Sequence, residues 1–109
     1  MCEREGPMLE DVISKPIYRV LTDLTQESRL EVALPLAIKD LLRLKLAETR
    51  ERRRDFEQSY GMTFDSFSRA WNEGRIADKH SLRVERDYQE WEATITDEER
   101  LCDMADTLR

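Results

Sequence analysis

Histidine is nearly absent from this 109-residue chain: His80 is its one imidazole, set in a polar connector with no cysteine beside it. That removes the commonest general base and the commonest metal ligand. Cysteine is almost as scarce, and Cys2 and Cys102 stand at opposite ends in no C-x-x-C spacing. They read as free thiols of a reducing compartment. Three glycines supply no Gly-rich phosphate loop. Neighbouring carboxylates such as Glu98 and Glu99 point in different directions from a helix, so they do not face a common substrate as acid and base. The chain is therefore expected not to be an enzyme, with no catalytic residue, no metal site and no cofactor. Long apolar runs are missing too. The stretch from Val32 to Ile38 is broken by Pro35 and is too short to cross a bilayer, and Glu3, Arg4 and Glu5 stand where a signal peptide would need apolar residues. The expectation is a cytoplasmic protein with no membrane partner.

Charge is what the chain has in abundance. Charged residues make up 39% of it, the same share as hydrophobic ones, with a net charge of −6 and a mean hydropathy of −0.72. That composition suits exposed helices and leaves little material for a self-sufficient core. Two long amphipathic helices in so short a chain cover few of their own apolar faces, which points to an oligomer or a heteromeric complex.

Residues 1–31 form an N-terminal segment, either a dimerisation element or a flexible lead, and residues 32–109 a helical domain. Met8 offers a second start, which would leave Met1 to Pro7 as a loose tail. Val12 to Ile13 and Ile17 to Leu24 are each short enough to be helix or strand, but Ile17, Leu21 and Leu24 fall at i, i+4 and i+7, favouring helix for the latter. From Leu36 to Tyr60 there is no Gly or Pro; Pro35 suits a first turn and Gly61 a stop, giving a central helix about 37 Å long. Stepping about 100° per residue puts Leu34, Ile38, Leu41, Leu42, Phe56 and Tyr60 on one side, with Lys45, Arg52 and Arg53 interrupting them. Leu36, Leu44 and Ala47 lie on other faces, so the first half of this helix is expected to be the more enclosed.

Thr63 reads as the N-cap of a short helix carrying Phe64, Phe67, Ala70 and Trp71, which Gly74 closes. Ser81 reads as the cap of a last helix running to about Leu108. There Val84, Tyr88, Trp91 and Ile95 make one seam, after which Leu101, Met104 and Leu108 change phase. Thr96 and Glu99 have capping-box spacing, which favours a break, whereas the lack of Gly and Pro favours continuity. The expected fold is all-α, with a long central helix, a short helix and a long C-terminal helix, extended and oligomeric, with coiled-coil-like packing.

Charge is segregated along these elements. Lys39 to Arg54 has seven basic and three acidic residues, whereas Ala77 to Arg109 has five basic and ten acidic, so the two helices attract one another. Arg50, Arg52, Arg53 and Arg54 are either a solvated helical face or a phosphate-binding patch; no aromatic residue interleaves them, which makes nucleic acid a weakly supported partner. The aromatic residues are more often core than interface.

The run from Phe56 to Phe67 follows the pattern F-E-x-x-Y-G-M-[ST]-F-x-x-F, and the run from His80 to Ala93 follows [HY]-S-x-x-V-E-x-D-Y-x-E-W-E-A. Together, over Leu36 to Leu101, they resemble small archaeal and cyanobacterial proteins that form the antitoxin half of two-gene toxin–antitoxin modules. The resemblance implies a binding protein that neutralises a ribonuclease-like toxin by covering its active groove with acidic helices. Phe64, Phe67, Trp71, Tyr88 and Trp91 would be its apolar anchors and Glu85, Asp87, Glu90 and Glu92 its charge complements. A homo-oligomeric helical scaffold and a DNA-binding autoregulator are the alternatives.

Overall fold

The computed structural model describes residues 13–109. Cys2, Val12, the tail from Met1 to Pro7 and the second start at Met8 lie outside them. The described residues are all-α, with no strand: α1 (Lys15–Thr25), α2 (Leu30–Tyr60), α3 (Phe64–Asn72) and α4 (Leu82–Thr107). No helix among them is long and apolar enough to cross a membrane. Two compact units divide the chain inside α2, one reaching to Leu41 and the other from Leu42 to Thr107.

In the first unit, α1 takes the helical form that Ile17, Leu21 and Leu24 suggested, with Pro16 in its first turn and Gln26 at its end in the left-handed conformation, φ 55°. Gln26 also reaches back to the Asp23 carbonyl through Nε2 at 2.6 Å, which ties the cap to the last turn. The Tyr18 hydroxyl donates to the Ser28 carbonyl at 2.7 Å and so anchors α1 to the connector ahead of α2.

The central helix begins at Leu30, six residues before the expected start, and Pro35 lies inside it. Its proline forfeits one backbone bond and costs several kcal/mol in a helix interior. What outweighs that loss is burial just upstream, since Leu30 and Ala33 are both fully enclosed and both belong to the added turn. The Val32 and Ala33 amides donate to the Arg29 carbonyl and close this turn.

The expectation that the first half of the stretch from Leu36 to Tyr60 is the more enclosed is corrected. Leu36, Ile38, Leu41 and Leu44 are 42 to 54% exposed, whereas Phe56 and Tyr60 near the other end pack against the core cluster of Phe67, Val84 and Trp91. The early leucines are spread around the helix, so one neighbour could cover only some of them. The late aromatics share a single face one turn apart.

The second unit is organised by two turns. Gly61 adopts φ 67°, a left-handed conformation that any side chain would strain, and its amide closes α2 by donating to the Glu57 carbonyl at 2.7 Å. Thr63 then caps α3 by accepting from the Ser66 amide. After Gly74 the polar connector leads to Ser81, whose Oγ accepts from the Val84 amide at 3.2 Å. α4 runs unbroken through Thr96. Continuity prevails because Trp91 and Thr94 upstream and Glu98 downstream keep the same side of α4 engaged with α2, and the Thr94 hydroxyl is satisfied by the Glu90 carbonyl.

Candidate functional site

The candidate site is the second unit, where α2, α3 and α4 meet. Its centre is a closed set of rings. Trp91 and Phe67 have no exposed surface, and Val84 is 8% exposed. Around Trp91, the ring centroids of Phe67, Phe64, Phe56 and Tyr60 lie at 5.0, 5.4, 5.5 and 5.7 Å, within the range of favourable aromatic pairs. Trp71 and Tyr88 add a second layer, with ring centroids 4.6 Å apart and Lys79 Nζ 5.3 Å over the Trp71 ring.

This packing decides which expected anchors have surface to offer. Phe67 and Trp91 are core side chains, fully enclosed by the other rings, so neither meets a partner without unfolding the unit. Phe64, Trp71 and Tyr88 are half-buried at its edge. The F-E-x-x-Y-G-M-[ST]-F pattern thus marks a helix junction: its Phe56, Tyr60 and Phe64 flank the turn at Gly61 and pack their rings on Trp91.

The acidic residues separate in the same way. Asp87 accepts a 2.6 Å bond from the Tyr60 hydroxyl, which makes it part of the fold. Burial, then the bond to Asp87, pushes the Tyr60 phenol up to about 12 from its ordinary 10.0. A raised phenol favours the fold while it keeps its proton, so this contribution is complete below about pH 10 and disappears as pH rises toward 12. Tyr60→Phe is expected to cost about 1 kcal/mol at neutral pH and to lose that alkaline component. Thermal melts of both proteins over alkaline pH test it, and parallel alkaline curves would refute the assignment.

Glu85 is half-buried, while Glu90 and Glu92 are exposed. Glu90 stands with Asp55 and Asp97 around a groove of about 430 Å³ between α2 and α4, walled also by Phe56, Ala93 and Arg52. Asp55, Asp97 and Phe56 were not among the expected site residues. Their spacing carried the signal, because Arg52, Asp55 and Phe56 fall at i, i+3 and i+4, and Glu90, Ala93, Thr94 and Asp97 at i, i+3, i+4 and i+7. What the sequence could not supply was the pairing of these two faces.

The arginine run is largely consumed by α4. Glu98 accepts from Arg53 Nε at 2.8 Å and from Arg50 Nε at 3.1 Å, and Arg53 also donates to Glu57 at 2.9 Å. The expected attraction between the basic and acidic helices is carried by these bonds. Arg52 opens onto the acidic groove, and Arg54 is exposed. Two of the four guanidiniums already hold a carboxylate, which leaves a thin patch for phosphate.

Cys102 is a half-buried free thiol 3.6 Å from Arg50 Nη2. Among the described residues, no group of three or more His, Cys, Asp or Glu side chains is placed to hold a metal ion. Comparison of the chain with protein-family models, curated proteins and solved structures finds no match.

Proposed function

We propose that this chain is an antitoxin-like binding protein whose α2/α4 groove receives a basic segment of a cognate, ribonuclease-like toxin. The observation that carries this reading is the groove itself. Three carboxylates, Asp55, Glu90 and Asp97, surround an apolar wall of Phe56 and Ala93 with Arg52 the single cation among the described lining residues. A lysine or arginine side chain fits that combination: its aliphatic stem lies against the apolar wall while its head meets carboxylates. The acidic surplus of the last third, ten acidic against five basic residues, extends the same field along α4 and speeds encounter with a basic partner. The resemblance of the F-E-x-x-Y-G-M-[ST]-F and V-E-x-D-Y-x-E-W-E-A runs to antitoxins supports the same class of partner.

Co-expression with the product of the adjacent gene tests the proposal. That product is expected to arrest growth when expressed alone and to co-purify with this chain when growth is rescued. Glu90→Lys with Asp97→Lys is expected to weaken the complex by tenfold or more, since each reversal places like charges face to face. A neighbour that is harmless alone, or a complex indifferent to both reversals, would count against this reading.

A further inference from the structure

We propose that the α2/α4 groove is polarised along its length: it seats one basic side chain of its partner between Asp55 and Glu90, while Arg52 keeps a second cation out of the Asp97 end. This rests on the reading of that groove as the seat of a basic partner. The contacts beside the groove set its direction. Arg53 meets Glu98, the Phe56 ring stacks on Trp91 and the Tyr60 hydroxyl reaches Asp87, so α2 and α4 run antiparallel, with residue numbers rising on one as they fall on the other. Asp97 therefore lies level with Arg52, next to the pair of Arg53 and Glu98, and Glu90 lies toward the Tyr60 end. Asp55 stands between these two levels, beside the apolar wall of Phe56 and Ala93.

The charges at the two ends differ. Asp97 already accepts from Arg100 Nη2 at 3.3 Å, one turn further along α4. Arg52 donates through Nη2 to the Thr49 hydroxyl at 3.4 Å, one turn back along α2, which draws its guanidinium toward the Asp97 level and away from Asp55. Two cations thus stand at that end beside one carboxylate. Among the described residues, neither the Asp55 nor the Glu90 carboxylate holds an ion pair. Glu90 and Asp97 are about 10 Å apart along the helix, too far for one ammonium or guanidinium to engage both. An incoming cation therefore settles at the unpaired carboxylates, Asp55 and Glu90. A second one at the Asp97 end would meet Arg52 and Arg100, and at close range like charges lose what opposite charges gain. The occupant is a segment with one basic side chain in the groove and no second one within its length, rather than a run of neighbouring lysines or arginines.

Two capped peptides test the proposal on the full chain by NMR amide shifts at low ionic strength. One carries a single arginine, and the other two arginines three residues apart, which in extended form sets the cations about 10 Å apart. Both are expected to shift the amides around Asp55 and Glu90, with Kd values within about threefold of each other, since the second arginine finds no seat. Arg52→Gln should tighten the two-arginine peptide by about fivefold, extend its shifts to Asp97 and Arg100, and help the single-arginine peptide less. Arg52→Lys keeps the charge and should keep the exclusion. Asp55→Asn and Glu90→Gln should each weaken the single-arginine peptide by about threefold, and the more distant Asp97→Asn by less. The same spectra show whether each variant is folded. A groove that shifts with neither peptide, shifts centred on Asp97 in the wild type, or an Arg52→Gln chain that gains no more for two arginines than for one would overturn the proposal. Co-expression with the adjacent gene decides the antitoxin reading separately: a harmless neighbour removes that reading and leaves the peptide result standing, whereas a rescued toxin with a groove silent to both peptides removes this proposal alone.

Discussion

Trp91→Ala is expected to lower the stability of the second unit by about 3–5 kcal/mol, the largest single-residue effect in the chain. Trp91 has no exposed surface and packs on rings from α2 and α3 at once, Phe56 and Tyr60 from the former and Phe64 and Phe67 from the latter. Truncation removes the side chain that those four rings share and leaves a void among three helices that they fill only in part by relaxing. Small domains are stable by only about 5–15 kcal/mol, so this variant should melt far below the wild type. Trp91→Phe separates size from chemistry. The indole N–H of Trp91 is buried with no protein acceptor, and leaving such a donor unmet costs about 1–3 kcal/mol. Phenylalanine keeps a ring in the cluster and removes that donor, so its cost should be clearly smaller than alanine's. Guanidinium melts followed by circular dichroism give both values. A Trp91→Ala protein within about 1 kcal/mol of wild type would mean that the ring cluster is not the core of this unit.

The elements that could be read from the sequence are those whose signals are local. Gly61, Thr63, Gly74 and Ser81 each act on backbone groups within a turn of themselves, so the ends of α2 and α3 and the start of α4 follow from residue type. The all-α class follows from the same features. Pro35 misled for the same reason: its local preference for a first turn is overridden by the burial of Leu30 and Ala33, which depends on neighbours that periodicity does not name. The seam of Val84, Tyr88, Trp91 and Ile95 was legible, but which of its aromatics are sealed and which remain at the surface depends on how α3 folds over it. The groove lay beyond reach because it needs two faces forty residues apart to be set in register.

Glu98 ties α4 to α2 beside that groove, and replacing it is expected to have the second-largest effect. Glu98 lies seven residues after Trp91, two turns along α4, and meets the polar middle of α2 where the apolar stripe gives way to arginine. Its carboxylate is 18% exposed and accepts from Arg53 and Arg50 together. Burial alone would raise its pKa, but hydrogen bonds from Arg53 and then Arg50 more than offset it and hold Glu98 below the ordinary 4.5. Glu98→Ala is expected to cost about 2 kcal/mol, because Arg53 then keeps only its bond to Glu57 and Arg50 loses its carboxylate partner and keeps only the weak contact to Cys102 Sγ. The sign with pH follows from the lowered value. The stabilisation is complete above the ordinary carboxylate value of 4.5 and disappears as pH falls through the lower value in the folded chain, since the unfolded state binds the proton first. Glu98→Gln should therefore be markedly less stable than wild type at neutral pH and approach it in acid. A stability gap that stays constant through this range would assign the loss to packing rather than to charge. A double-mutant cycle with Arg53→Met isolates the pair, and a coupling near zero would mean that the rings alone align α4 on α2. If the coupling is present, Glu98→Lys should do more than destabilise. Placing a third cation against Arg50 and Arg53 should shift α4 along α2 and disrupt the groove formed by Asp55, Glu90 and Asp97, so any binding of the proposed basic partner there should fall although no groove residue has changed.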